Sequence, residues 1–64
     1  MIIQTEREAD GRWIAEIPEL PGVLSYSDTQ AGAIARAKAL ALRVIADRLD
    51  HGEAVPKLES FFAS

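Results

Sequence analysis

Sixty-four residues make one domain, spanning residues 1–64, with no room for a cofactor-binding α/β unit or a large active-site cavity; a chain of this size buries only about 60% of its unfolded surface. With 48% apolar and 27% charged residues, the composition is that of a folded domain and excludes a disordered tail. Ten acids against seven bases leave a net charge of −3, which disfavours direct DNA or RNA binding by the chain alone and leaves a basic protein partner open.

Residues 2–9 open with two isoleucines and end in charges, a pattern that predicts a first strand. Asp10-Gly11 between two β-compatible runs predicts a hairpin with a type I′ turn, because glycine tolerates the positive φ that this turn demands. Residues 12–17 form the predicted second strand, and Pro18 ends it by removing a ladder donor. Pro18, Pro21 and Gly22 set a sharp corner, after which residues 23–26 give a short third strand. Asp28-Thr29 supplies the side-chain oxygen that caps a helix predicted over 30–49. Gly52 suits the C′ position beyond that helix, Pro56 is a stop, and residues 58–62 predict a last strand.

The helix is amphipathic. Ala33, Ile34, Ala37, Ala41, Val44 and Ile45 fall within one arc, with Leu42 and Leu49 on its flank, while Arg36, Arg43, Asp47 and Asp50 lie opposite. Arg43 and Asp47 are spaced as an i,i+4 opposite-charge pair. In the second strand Trp13, Ala15 and Ile17 share an apolar face that belongs under the helix. Arg12, Ile14 and Glu16 share the other face, together with one of Leu24 or Tyr26, and one helix cannot cover both sides. Solvent exposure is the ordinary state of such a face. The small core nevertheless points to self-association, or to a partner docked on that face or on a sheet edge.

Chemistry-bearing residues are sparse. No cysteine removes disulfides, thiolate nucleophiles and zinc knuckles. His51, the single histidine, sits where a helix C-terminus favours positive charge, and no metal or other cofactor is expected. Ser25, Ser27 and Thr29 read as strand and cap residues, and Glu16 and Glu19 as solvated carboxylates better than as a catalytic pair. Trp13 reads as core, and Phe61-Phe62 as one core residue beside one at an edge. The glycines are placed as turn residues and not as a phosphate loop. The N-terminus has no signal-peptide pattern, and the charges of the helical candidate exclude a membrane span, so a cytoplasmic, non-enzymatic protein is expected.

Asp10-Gly11, the run from Ala15 through Glu16, Pro18, Glu19 and Pro21 to Gly22, Asp28-Thr29 opening a helix, and the exit from Gly52 to Pro56 resemble the HicB-like antitoxin family over nearly the whole chain. Two positions depart from the family pattern: Ser27 replaces a frequent glycine, and Ala31-Gly32 replaces a frequent pair of glutamates, breaking the usual capping box and leaving the first turn freer to fray. The resemblance implies an α+β fold, a small antiparallel sheet with one long helix packed on one face, in the order β-β-β-α-β of a partial ribonuclease H fold. It implies a short form without the C-terminal DNA-binding module of many members. It further implies an antitoxin that neutralises a HicA-like toxin, a small protein that cuts messenger RNA with a histidine, by direct protein–protein contact. Strand alternation and charge offer Arg12, Ile14, Glu16 and Glu19 as the contact residues. Two other classes stay open: a stand-alone homo-oligomeric interaction module without a toxin, and a nucleic-acid binder that acts only as an oligomer or with another chain.

Overall fold

The computed structural model describes residues 1–55. Three strands, β1 (Gln4–Arg7), β2 (Trp13–Glu16) and β3 (Leu24–Ser27), are followed by one helix, α1 (Gln30–Asp50). The strands form an antiparallel sheet in the order β1-β2-β3. The class is therefore α+β. The expected strand at 58–62, with Phe61 and Phe62, lies outside the described residues.

The first hairpin differs from the sequence expectation. Thr5 faces Ala15, Glu6 faces Ile14 and Arg7 faces Trp13, so the loop between Glu8 and Arg12 holds three residues and not two. Gly11 N–H donates to the Glu8 carbonyl at 2.9 Å, Glu8 N–H donates to the Arg12 carbonyl at 2.7 Å, and Gly11 has φ of 90°. This is a type I turn followed by a left-handed glycine bulge, which needs one positive φ where type I′ needs two. A type I′ turn would ask the left-handed region of Asp10 as well as Gly11, and the three-residue loop places that demand on the glycine, where it costs least.

The corner between β2 and β3 is two turns in series. Leu20 N–H donates to Ile17 O at 2.9 Å, and Val23 N–H donates to Leu20 O at 3.0 Å. Each turn carries proline at its second position, where the ring presets φ. In the second turn Gly22 holds φ of 88°, the positive value that position i+2 of a type II turn requires. A Cβ on Gly22 would meet nothing within 4 Å, so any cost of substitution is backbone strain alone. Gly22→Val should therefore lower unfolding stability by about 1–2 kcal/mol, read as a drop in urea midpoint at constant slope. An unchanged midpoint would contradict the type II geometry.

Thr29 caps α1, with its Oγ1 accepting from Gly32 N–H at 3.0 Å. Half of a capping box is thus present, and the first turn carries no acidic residue to complete it. The lack of a side chain at Gly32 has its own reason: a Cβ there would collide with the Ser27 side chain and the Thr29 hydroxyl. Gln30 Nε2 donates to Thr5 Oγ1 at 3.0 Å, tying the start of the helix to β1. At the far end Gly52 N–H donates to Leu49 O at 3.0 Å and Glu53 N–H to Arg48 O at 2.8 Å, which is a Schellman cap with Gly52 at C′.

The core lies between α1 and one sheet face in two clusters. Ala15, Ala33 and Ala37 are fully buried beside Trp13 and Ile34, where the helix crosses β2. Ile17, Leu20, Val23, Ala41, Ile45 and Val55 form the larger cluster under the C-terminal half of the helix. Leu20 comes from the corner itself and is the largest side chain fully removed from solvent. Val55 returns from the helix C-terminus to close that cluster. Leu42 and Leu49, placed by periodicity on the flank of the core arc, are instead 58% and 46% exposed. The contact with the sheet is centred on Ala33, Ala37, Ala41 and Ile45, and at 100° per residue Leu49 and Leu42 stand about 100–120° round the helix from that line.

Candidate functional site

The second face of the sheet has no covering element among the described residues. Register decides its composition. Glu16 lies opposite Gln4 on one side and Leu24 on the other, and Ile14 lies between Glu6 and Tyr26. Cross-strand partners share a face, so Gln4, Glu6, Ile14, Glu16, Leu24 and Tyr26 all look outward together. The sequence expectation of one of Leu24 or Tyr26 is corrected by this register: the two are separated by two residues and stand on the same side. Leu24 is 40% and Tyr26 38% exposed, and Ile14 between the flanking strands is half-buried.

A shallow open depression of about 440 Å³ lies over β1 and β2, lined by Gln4, Thr5, Glu6, Glu8, Ile14 and Glu16. Glu6, Glu8 and Glu16 form no ion pair among the described residues. Three uncompensated carboxylates thus ring one isoleucine at the middle of the face. Across the sheet, apolar Leu24 and Tyr26 continue from Ile14.

The four contact residues offered by the sequence are not equivalent in space. Ile14 and Glu16 stand on the open face as expected. Arg12 is turned back on its own hairpin: its Nε donates to Asp10 Oδ2 at 2.8 Å, and its guanidinium carbon stands 4.9 Å from the centre of the Tyr26 ring. Its charge is met by Asp10 and its plane shields Tyr26. Glu19 is half-buried in the corner, where its Oε2 accepts from Ile2 N–H at 3.4 Å, so it fastens the N-terminal segment. Glu19 therefore does not converge with Glu16 as a second carboxylate of the open face. Glu6, Glu8, Leu24 and Tyr26 share the open face with Ile14 and Glu16, and Arg12 stacks on Tyr26 beside them.

Asp10 accepts the Arg12 backbone N–H at 3.0 Å and the guanidinium at 2.8 Å. Those two bonds, the backbone one foremost, hold its carboxyl below the ordinary value of 3.8. A carboxyl depressed on folding stabilises the folded state above its unfolded value, and that contribution disappears as pH falls through the folded value. For this fully exposed group the effect on stability is small. A carbon-detected titration of the Asp10 carboxyl should give a midpoint below 3.8. Arg12→Gln should raise it part of the way, leaving the backbone bond in place. A midpoint unaffected by that change would show that the guanidinium does not engage the carboxylate in solution.

The other chemistry-bearing residues are dispersed. Ser27 and Thr29 lie at the N-terminal end of α1, and His51 lies at its C-terminal end, beyond 21 residues of helix. That separation is about 30 Å at 1.5 Å per residue, so no Ser–His pair forms there. His51 Nδ1 lies 2.8 Å from the Asp47 carbonyl oxygen and 3.6 Å from Asp47 Oδ1. Asp47 is thereby engaged with His51 and not with Arg43, the partner its spacing suggested. Among the described residues no group of three His, Cys, Asp or Glu side chains converges in a way that could hold a metal ion. No helix among them is long and apolar enough to cross a membrane.

No family model matches the chain, and no curated protein or solved structure matches it either.

Proposed function

We propose that this protein is a HicB-like antitoxin domain that neutralises a small, basic, HicA-like messenger-RNA-cleaving toxin by direct contact. In this reading it acts in the cytoplasm, binds no nucleic acid alone and performs no chemistry of its own. The observation that carries the reading is the open sheet face, where Glu6, Glu8 and Glu16 surround Ile14 without a compensating cation. A basic partner gains both steering and orientation from such a face, and Ile14, Leu24 and Tyr26 supply the apolar centre that affinity requires. The finer fold assignment belongs to the same proposal: the β-β-β-α unit is the larger part of a partial ribonuclease H-like fold whose last strand comes from residues 58–62.

The test is capture and inhibition of the toxin encoded by a small basic reading frame beside this coding sequence. The intact chain should co-purify with that toxin and stop messenger-RNA cleavage. The double change Ile14→Ala with Glu16→Ala should keep the fold, since both residues lie on the outer side of β2, and should weaken capture and restore cleavage. Glu19 is left unchanged because it holds the Ile2 amide. Full neutralisation by the double variant would place the contact elsewhere on the molecule.

A second reading is supported by Leu42 and Leu49, which lie on the exposed side of the helix away from the sheet face. It makes the protein a stand-alone homo-oligomeric module. Absence of a basic reading frame beside the coding sequence would favour it over the first.

A further inference from the structure

The outer edge of β3 carries main-chain groups that the sheet leaves unpaired. Ile17 N–H donates to Val23 O at 3.1 Å, which makes Ile17 and Val23 a hydrogen-bonded pair. In an antiparallel ladder such pairs alternate with pairs whose N–H and C=O groups point away from each other. By that alternation the main-chain groups of Ser25 and Ser27 face β2, and those of Leu24 and Tyr26 point outward from the sheet. β3 itself holds no charged residue, whereas the opposite edge strand, β1, includes Glu6 and Arg7. An uncharged open edge is a template on which another strand can pair.

The charge that stands at this edge comes from the helix. Arg36 Nη1 donates to the outward Tyr26 carbonyl at 3.5 Å. Among the described residues Arg36 forms no ion pair, so its charge is uncompensated there. Its reach depends on Gly32, one turn earlier on the same side of α1. A Cβ at Gly32 would collide with the Ser27 side chain, so the glycine lets the helix approach the end of β3 and brings Arg36 within range of the carbonyl. We propose that Arg36 guards the β3 edge and keeps a second copy of this chain from pairing along it. Antiparallel pairing about Ser25 would set Leu24 against Tyr26 of the second copy, an apolar cross-strand match that side-chain packing alone would favour. The same arrangement needs the Tyr26 carbonyl that Arg36 holds, and it brings the arginines of the two copies together. The two Tyr26 residues would lie two positions apart along the paired strands, about 7 Å, with both guanidinium groups on the helix side of the sheet. Like charges so placed oppose the pairing. The open sheet face plays no part in this device, so the inference does not rest on the toxin-neutralising reading.

Sedimentation equilibrium and amide hydrogen exchange of the full chain, each across a range of protein concentrations, test the proposal. In the wild type the Leu24 and Tyr26 amides should exchange at rates independent of concentration. Arg36→Ala places a strong helix former at an exposed position, so the fold should be kept. It should raise the association constant at least about tenfold. Protection of the Leu24 and Tyr26 amides should then grow with concentration, while that of Thr5 and Arg7, the outward amides of β1, stays as in the wild type. Arg36→Lys keeps the charge and should behave as the wild type does. Association of Arg36→Ala no stronger than that of the wild type overturns the proposal, as does association without protection of Leu24 and Tyr26. Concentration-dependent protection of those two amides in the wild type also overturns it, because the edge would then pair despite Arg36. Association of Arg36→Lys as strong as that of Arg36→Ala would show that the charge is not the guard, and overturns it equally.

Discussion

Leu20→Ala should be the most damaging truncation available among the described residues. Leu20 has no exposed surface and fills the space between the corner, β2 and the C-terminal half of α1, against Ile17, Val23, Ala41 and Ile45. Removing a buried leucine side chain forfeits its transfer energy and leaves a cavity, together about 2–5 kcal/mol. A domain of this length has roughly 3–10 kcal/mol in total, so the substitution removes a large share of it. The corner gives the surroundings little freedom to close the gap, since two prolines and the strained-if-substituted Gly22 fix its path. Urea unfolding should show a large loss of midpoint, or a chain partly unfolded without denaturant. A loss under about 1 kcal/mol would mean that the site collapses freely and that the corner is not anchored as described.

Ala37→Leu should destabilise by the opposite route. Ala15, Ala33 and Ala37 are each 0% exposed and meet where the helix crosses the sheet. Their small size sets how closely the helix approaches β2. A leucine at Ala37 adds volume at a position with no exposed surface and must push α1 away from Ala15 or force Trp13 and Ile34 from their rotamers. Overpacking of this kind costs about 1–3 kcal/mol, occasionally more. The thermal midpoint should fall, with the near-ultraviolet signal of Trp13 changing more than the helical signal. A neutral or stabilising outcome would show a cavity beside Ala37 and would contradict the close approach.

Much of this architecture is legible in the residues because local chemistry and burial agree. Trp13, Ala15 and Ile17 alternate cleanly, Thr29 has a cap's hydroxyl, and Gly52 follows the last helical residues, so strand, helix start and helix end coincide with expectation to within a residue or two. What escaped was set by register and by the corner. Asp10-Gly11 reads as a two-residue turn in isolation, but that turn would set Glu6 opposite Ala15 and drive the charges of β1 under the helix. The alternation of Ile3 and Thr5 against Gln4 and Glu6 already favours the three-residue loop, so the hydrophobic pattern carries the signal that turn chemistry alone obscures. Leu20 escaped because a residue between two prolines reads as surface loop. Its burial depends on both turns closing at once, a tertiary event that no local pattern encodes.

The candidate site divides along the same line. Ile14 and Glu16 follow from alternation within one strand. Glu6 and Glu8 join them only through pairing between strands, which also brings both Leu24 and Tyr26 where one was expected, and Glu19 is drawn to the Ile2 amide within its reach. The charge of the open face is therefore a property of register. It would strengthen attraction to a basic partner at low salt and lose that strength as ionic strength rises.

The most direct test of a toxin-binding open face is an amide titration of the isotopically labelled chain with a HicA-like toxin whose catalytic histidine has been replaced. The amides of Glu6, Ile14, Glu16, Leu24 and Tyr26 should shift or broaden together, while those of Ala35, Ala39, Leu42 and Leu49 on the outer helix remain unmoved. Perturbation confined to the helix, or none at all at saturating toxin, would contradict the assignment of the sheet face as the binding surface.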